Sequence, residues 1–162
     1  MITILTHPDE RLTKYCMHVT VVTPEVRHEI IRMLTAMHMN NGIGLAAPQL
    51  GIAKRIIVIN MDLIEDKPAK MEGNAVFIDP YITVKEGDTY LHKEQCLSIP
   101  GVTVEVPRYP EVKVAYTNLE GRREFIVARG LFAAVLQHEI DHIEGKLIID
   151  YLNKGRPVDF LD

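Results

Sequence analysis

The sequence predicts an α+β fold: antiparallel sheets packed around a central metal-binding H-E-x-x-H helix, with a second helix near the amino terminus. Two observations carry this. Helix-period apolar runs occur near both ends, at 24–39 and 130–144, and the stretch between them is a series of short β-like runs with no helix among them. The 162 residues suit a single domain, 1–162, long enough to bury a core without disulfides.

In chain order, the first strong signal is Thr23 as N-cap with Pro24 at the first helical position. Val26, Ile30, Met33, Leu34 and Met37 then recur at helical spacing, which places the methionines in ordinary core packing. Asn40, Asn41 and Gly42 end the helix with residues that tolerate positive φ. A run of small residues follows, and then β-like stretches at 55–60, 75–79, 81–86, 102–106 and 111–116. Asn118 to Gly121 reads as a hairpin turn into a further strand at 124–127. The charged stretch 62–73 reads as a surface loop. Gly145 closes the last helix as its C′ residue. The tail after Asp150, with Gly155 and Pro157, offers no helix of useful length.

Composition excludes several classes of function. Apolar content of 47% and charged content of 25% are those of a globular protein, and a formal net charge of −4 leaves no basic footprint for nucleic acid. No apolar run approaches the roughly 18 residues of a membrane span. The opening residues carry neither a secretory signal nor an Arg- and Ser-rich transit peptide, so the expected location is the cytoplasm. In a reducing compartment, Cys16 and Cys96 are expected to stay free rather than pair. Cys16, between Tyr15 and Met17, reads as a small buried hydrophobe.

The chemistry is concentrated in His138-Glu139-Ile140-Asp141-His142. At 3.6 residues per turn, positions i and i+4 share one helix face, so both imidazoles can reach one cation. A cation there lowers the pKa of a bound water, and Glu139 can take its proton and pass it to a leaving group. Two histidines and a glutamate on a wet helix face would be the ordinary alternative. The preceding segment 131–137 is too apolar for that. A catalytic centre needs a third ligand, and no histidine follows His142. Cys96 is the upstream candidate, with His92 and Glu94 close enough in sequence to compete.

Three segments, in this order, resemble the peptide deformylase family: Gly42-Ile43-Gly44-Leu45-Ala46-Ala47-Pro48-Gln49, Glu94-Gln95-Cys96-Leu97-Ser98 and Gln137-His138-Glu139-Ile140-Asp141-His142. The likeness runs from about His7 to Leu152. It implies a hydrolase of a linear amide that removes the formyl group from the N-terminal methionine of newly synthesised chains, releasing formate. By resemblance, Cys96 joins His138 and His142 as metal ligands, Glu139 moves the protons, and Gln49 with the Leu97 amide stabilises the oxyanion. Ile43, Gly44 and Glu94 become substrate-binding residues, with the Gly44 backbone pairing to an extended peptide. Helical spacing adds Leu131, Ala134 and Val135, which share the face of His138 and would form an apolar wall for the methionine side chain.

The resemblance further implies one divalent metal ion, Fe2+ in the cell, with Zn2+, Ni2+ or Co2+ able to substitute. The expected partners are formylated nascent peptides, met at the ribosome, and the expected state is a monomer. Asp141 and Arg108 match family positions and are expected to pair so as to orient the second histidine. Two positions depart from the family: Gln95 stands where glycine is usual, and Thr103 where many bacterial members carry arginine. The short tail points to a compact bacterial, phage or organelle-derived version. The alternatives are a general zinc metallopeptidase, or a degenerate deformylase that only binds nascent chains.

Overall fold

A computed structural model describes residues 2–153. Helix α1 (Pro24–Met39) begins as expected: the Thr23 hydroxyl accepts a hydrogen bond from the Val26 amide at 3.2 Å, with Pro24 in the first turn. Strand β1 (Gly44–Ala46) and a 3-10 turn (Ala47–Leu50) follow. Then come β2 (Ile56–Asn60), β3 (Asn74–Glu86), β4 (Tyr90–Cys96), β5 (Ile99–Arg108), β6 (Glu111–Thr117) and β7 (Arg123–Arg129). Helix α2 (Gly130–Ile143) succeeds β7 directly, and a 3-10 segment, Ile148–Asn153, ends the described chain. The part of the tail expected to lack a helix lies, from 154 on, outside the described residues.

Every named pairing is antiparallel. Five strands form one sheet in the order β1-β2-β3-β6-β7, and β4 and β5 form a separate hairpin. The antiparallel sheets predicted from sequence are therefore present.

Strand β2 explains much of the packing. Its run Ile56-Ile57-Val58-Ile59 is buried throughout rather than alternating. Ile57 and Ile59 join Phe77, Val114, Phe132 and Leu136 in a core under α2. Ile56 and Val58 join Ile30, Met33, Met37 and Leu45 in a second core under α1. The strand is thus covered on both faces, which is why it reads as a continuous hydrophobic run. A third core, including Val104, Val106, Leu12 and Leu147, backs the hairpin.

Four elements differ from the sequence expectation, the first being β1, whose three residues sit in what reads as a run of small residues. The stretches at 75–79 and 81–86 are one strand interrupted by a bulge, where Asp79 takes a φ of +52° and Pro80, which has no N–H for the ladder, follows it. Strand β4 was not visible in the sequence, because its inward positions are Glu94 and Cys96 rather than hydrophobic residues. The loop at 62–73 is less of a surface feature than expected, since Ile64 is fully buried and Met71 packs on the core.

Gly145 ends α2 with a φ of +77°, and a Cβ there would lie 3.0 Å from the Thr13 carbonyl oxygen. Both the left-handed backbone and the close approach require glycine, and together they pin the end of the helix to the amino-terminal segment.

Burial of both faces of β2 has a measurable consequence. Ile57→Ala and Ile56→Ala, which point to opposite sides, are each expected to cost about 2–5 kcal/mol in urea unfolding. Phe125→Ala, at a side chain 78% exposed on β7, is expected to stay within about 0.5 kcal/mol. Sensitivity at only one of the two isoleucines would contradict the two-sided packing.

Candidate metal centre

Helix α2 contacts β1, β2, β6, β7 and the 3-10 turn that carries Gln49. It delivers His138 and His142 from one face, and the end of β4 brings Cys96 to them. The Cys96 Sγ lies 3.3 Å from the His142 Nε2, and the three ligand atoms of Cys96, His138 and His142 all lie within 4.8 Å of one another. In a tetrahedral site, Zn–S and Zn–N bonds of ordinary length put sulfur and nitrogen about 3.6 Å apart. A thiolate and two imidazoles converging at this spacing fit a borderline divalent cation. Of the three upstream residues left open by sequence, Cys96 is the one in this cluster. Cys16 is not part of it: it is buried in the core under α2, and burial pushes its thiol pKa up.

Glu139 sits beside the cluster, its Oε1 3.9 Å from the His138 Nε2. It is 4% exposed, and its Oε2 has no hydrogen-bond partner in the protein. Burial pushes its pKa up to about 7, against the opposing pull of His138. Burial, helped by His138, holds the His142 pKa well below the usual imidazole range, which favours the neutral form that ligates a cation.

Gly44 explains how Glu139 fits. A Cβ on residue 44 would fall 2.9 Å from the Glu139 Oε1 and 3.1 Å from its Cγ and Cδ. The glutamate packs directly over the backbone of β1, and any side chain at 44 would displace it.

Gln49 is 2% exposed. Its Oε1 accepts from the Ala46 amide at 2.9 Å, and an amide N–H can only donate, so the orientation of the carboxamide is determined. The Nε2 therefore faces the donor cluster, donating to the Ser98 hydroxyl at 3.1 Å and lying 3.8 Å from the Cys96 Sγ.

The Arg108–Asp141 pair is present, with NH1 donating to Oδ2 at 2.7 Å. The histidine served by this network is the first, however, and not the second as expected. Arg108 also donates from Nε and NH2 to the two oxygens of Glu94, each at 2.7 Å, and Glu94 Oε1 accepts from the His138 Nδ1 at 2.8 Å. The Nδ1 of His142 has no hydrogen-bond partner in the protein. Glu94 itself was expected to bind substrate. It reaches the cleft wall, but both its oxygens are spent on Arg108, His138 and His92, and its chemistry is that of an orienting carboxylate. Burial works to raise its pKa, and the hydrogen bonds from Arg108, His138 and His92 outweigh it and hold the carboxyl well below the usual range.

The site opens into a cleft of about 650 Å³. Ile43, Gly44 and Leu97 line it, as do Leu131, Ala134 and Val135 from α2. Ala134 and Val135 are buried, whereas Leu131 is 43% exposed at the mouth. The two departures from the family pattern turn out to be partners: the Gln95 Nε2 donates to the Thr103 hydroxyl at 3.0 Å, and Gln95 lies at the cleft.

Sequence reasoning missed Ser98, Gln137 and Tyr151. Gln137 is 5% exposed and clamps α2 to the β5–β6 turn, accepting from the Tyr109 amide and donating to the Tyr109 carbonyl. Tyr151 donates to the Asp141 Oδ2 at 2.7 Å. Ser98 and Gln137 were legible in principle, as polar residues inside otherwise apolar motif segments. Tyr151 carried no local signal.

A family profile described as polypeptide deformylase matches residues 1–157. The chain is 41% identical over 145 residues to the peptide deformylase of Desulfitobacterium hafniense, covering 90% of each chain. It is 36% identical over 158 residues to that of Orientia tsutsugamushi, covering 94% of this chain and 87% of the relative. Among solved structures, a peptide deformylase from Synechococcus elongatus in complex with actinonin superposes with a TM-score of 0.85 at 39% identity, over 95% of this chain and 82% of that one. The Thermotoga maritima peptide deformylase gives a TM-score of 0.84 at 35% identity, over 93% and 97%. Sequence, fold and donor cluster agree, and the chain belongs to the peptide deformylase family of hydrolases.

Proposed function

We propose that this chain removes the formyl group from the N-terminal formyl-methionine of newly synthesised polypeptides, releasing formate, at a divalent cation held by Cys96, His138 and His142. The observation that carries the reading is the convergence of these three donors beside a buried glutamate in an apolar cleft. The cation supplies Lewis-acid polarisation of the formyl carbonyl and a nucleophile derived from water at neutral pH. Ferrous iron is the metal the family resemblance implies, with zinc, nickel or cobalt as substitutes.

The chain's own residues do the rest. Glu139, with a pKa already raised toward neutrality, accepts the proton of the attacking water and delivers it to the departing amine nitrogen. Gln49 Nε2, with its orientation set by Ala46, and the Leu97 amide donate to the oxyanion that develops at the formyl carbon. Val135 and Ala134, one turn from His138, and Leu131, two turns away, provide the apolar wall for an unbranched methionine side chain. Strand β1 is an edge of the five-stranded sheet. An extended peptide can add beside Gly44 as a further strand, with Ile43 packing against it. The substrates are nascent chains, met in the cytoplasm by a monomer.

Glu139→Gln is expected to lower formate release from formyl-Met-Ala-Ser by at least about 10²-fold in anaerobically prepared protein while the metal stays bound. Full activity in that variant would exclude the mechanism. Gln49→Leu is expected to reduce kcat by about 10²- to 10³-fold with KM little changed; an effect confined to KM would instead assign Gln49 to substrate binding. Gly44→Ala, which crowds Glu139 without touching a ligand, should retain stoichiometric metal and lose kcat, as steady-state kinetics beside metal analysis will report.

A further inference from the structure

Of the residues that hold Glu94, His92 and His138 line the cleft and Arg108 does not, and His92 is the most open of the three. Its side chain is 28% exposed, against 3% for Arg108 and 13% for His138. Residues 92, 94 and 96 alternate along β4, so His92, Glu94 and Cys96 share one face of that strand.

An ionised carboxylate only accepts hydrogen bonds, and it has about four acceptor directions, two per oxygen. In this protein all of them are used. Oε1 accepts from Arg108 NH2 and His138 Nδ1, and Oε2 accepts from Arg108 Nε and, at 3.0 Å, from His92 Nδ1. The two imidazoles are thus matched, one on each oxygen, across the guanidinium fork. Both must carry their proton on Nδ1, which leaves the Nε2 lone pair of His138 for a cation. His92 itself is no ligand: its Nδ1 is committed to Glu94, and it lies outside the cluster of Cys96, His138 and His142.

Arg108 alone fixes the plane of the carboxylate but supplies one donor to each oxygen. With the His92 bond removed, Oε2 loses its second donor on the cleft side, and the carboxylate can tilt out of the guanidinium plane toward water. Any tilt moves Oε1, and with it the ring of His138. We propose that His92 is a positioning residue for the metal centre, its Nδ1–H bond to Glu94 Oε2 holding the carboxylate that aims His138. This rests on the reading of Cys96, His138 and His142 as a metal centre.

The test uses the full chain loaded with Co2+ under anaerobic conditions, with affinity measured by chelator competition and the ligand field by visible absorption. His92→Ala is expected to bind Co2+ about 10-fold more weakly and to shift the visible bands. His92→Gln, whose amide can donate to Oε2, should stay near the parent in both. Melting of the metal-free proteins separates a packing defect from a positioning one; His92→Leu, similar in bulk and without a donor, replaces the alanine variant if the latter does not fold. Parent-like affinity and spectrum in the variant lacking a donor would overturn the proposal, as would equal losses in the Ala and Gln variants. Failure of the parent to bind Co2+ would overturn the metal reading itself, and the role of His92 with it.

Discussion

A buried carboxylate must be paired, and the pairing of Glu94 ties the β4–β5 hairpin to α2. Glu94 lies on β4, Arg108 at the end of β5, and His138 and Asp141 on α2. The side chains of Glu94 and Arg108 are 4% and 3% exposed, so leaving either one alone would be strongly destabilising. With two guanidinium bonds at 2.7 Å, and Asp141 on the remaining arm of Arg108, the charges compensate one another inside the fold. The hairpin makes no strand pairing with the five-stranded sheet, and this polar junction, together with the third core, is what holds Cys96 in reach of the helix.

The same junction decides the form of His138. A carboxylate that cannot donate forces the imidazole to present Nδ1–H to it and Nε2 to the cluster. His142 is treated differently: it has no protein partner on Nδ1, and its burial favours the neutral ring. The two histidines of one motif, four residues apart, are thus placed by different means, one by a hydrogen-bond chain and the other by helix geometry and burial.

Around the polar centre, the apolar framework sets distances rather than charges. Strand β2, covered by α1 on one face and α2 on the other, fixes how far α2 stands from β1. That separation leaves Glu139 lying on the Gly44 backbone, with no room for a Cβ. The glycine that a sequence motif presents as a turn or a peptide-pairing position is also the floor beneath a buried carboxylate.

Much of this was written locally. The H-E-x-x-H spacing puts His138, Glu139 and His142 on or beside one helix face through i,i+4 geometry alone, and Thr23, Pro24 and Gly145 mark helix ends through short-range capping. The strands with apolar inward faces were visible for the same reason. What the sequence by itself could not determine was β4, whose inward residues are chemical rather than hydrophobic, and the choice among Cys96, His92 and Glu94 as third donor. Those outcomes rest on contacts such as Cys96 to His142 and Glu94 to His138, 46 and 44 residues apart. Tertiary packing put one neighbour of the helix in the donor cluster, a second in hydrogen-bond contact with His138 and a third against that carboxylate, because only in the folded chain does each lone pair meet a particular donor.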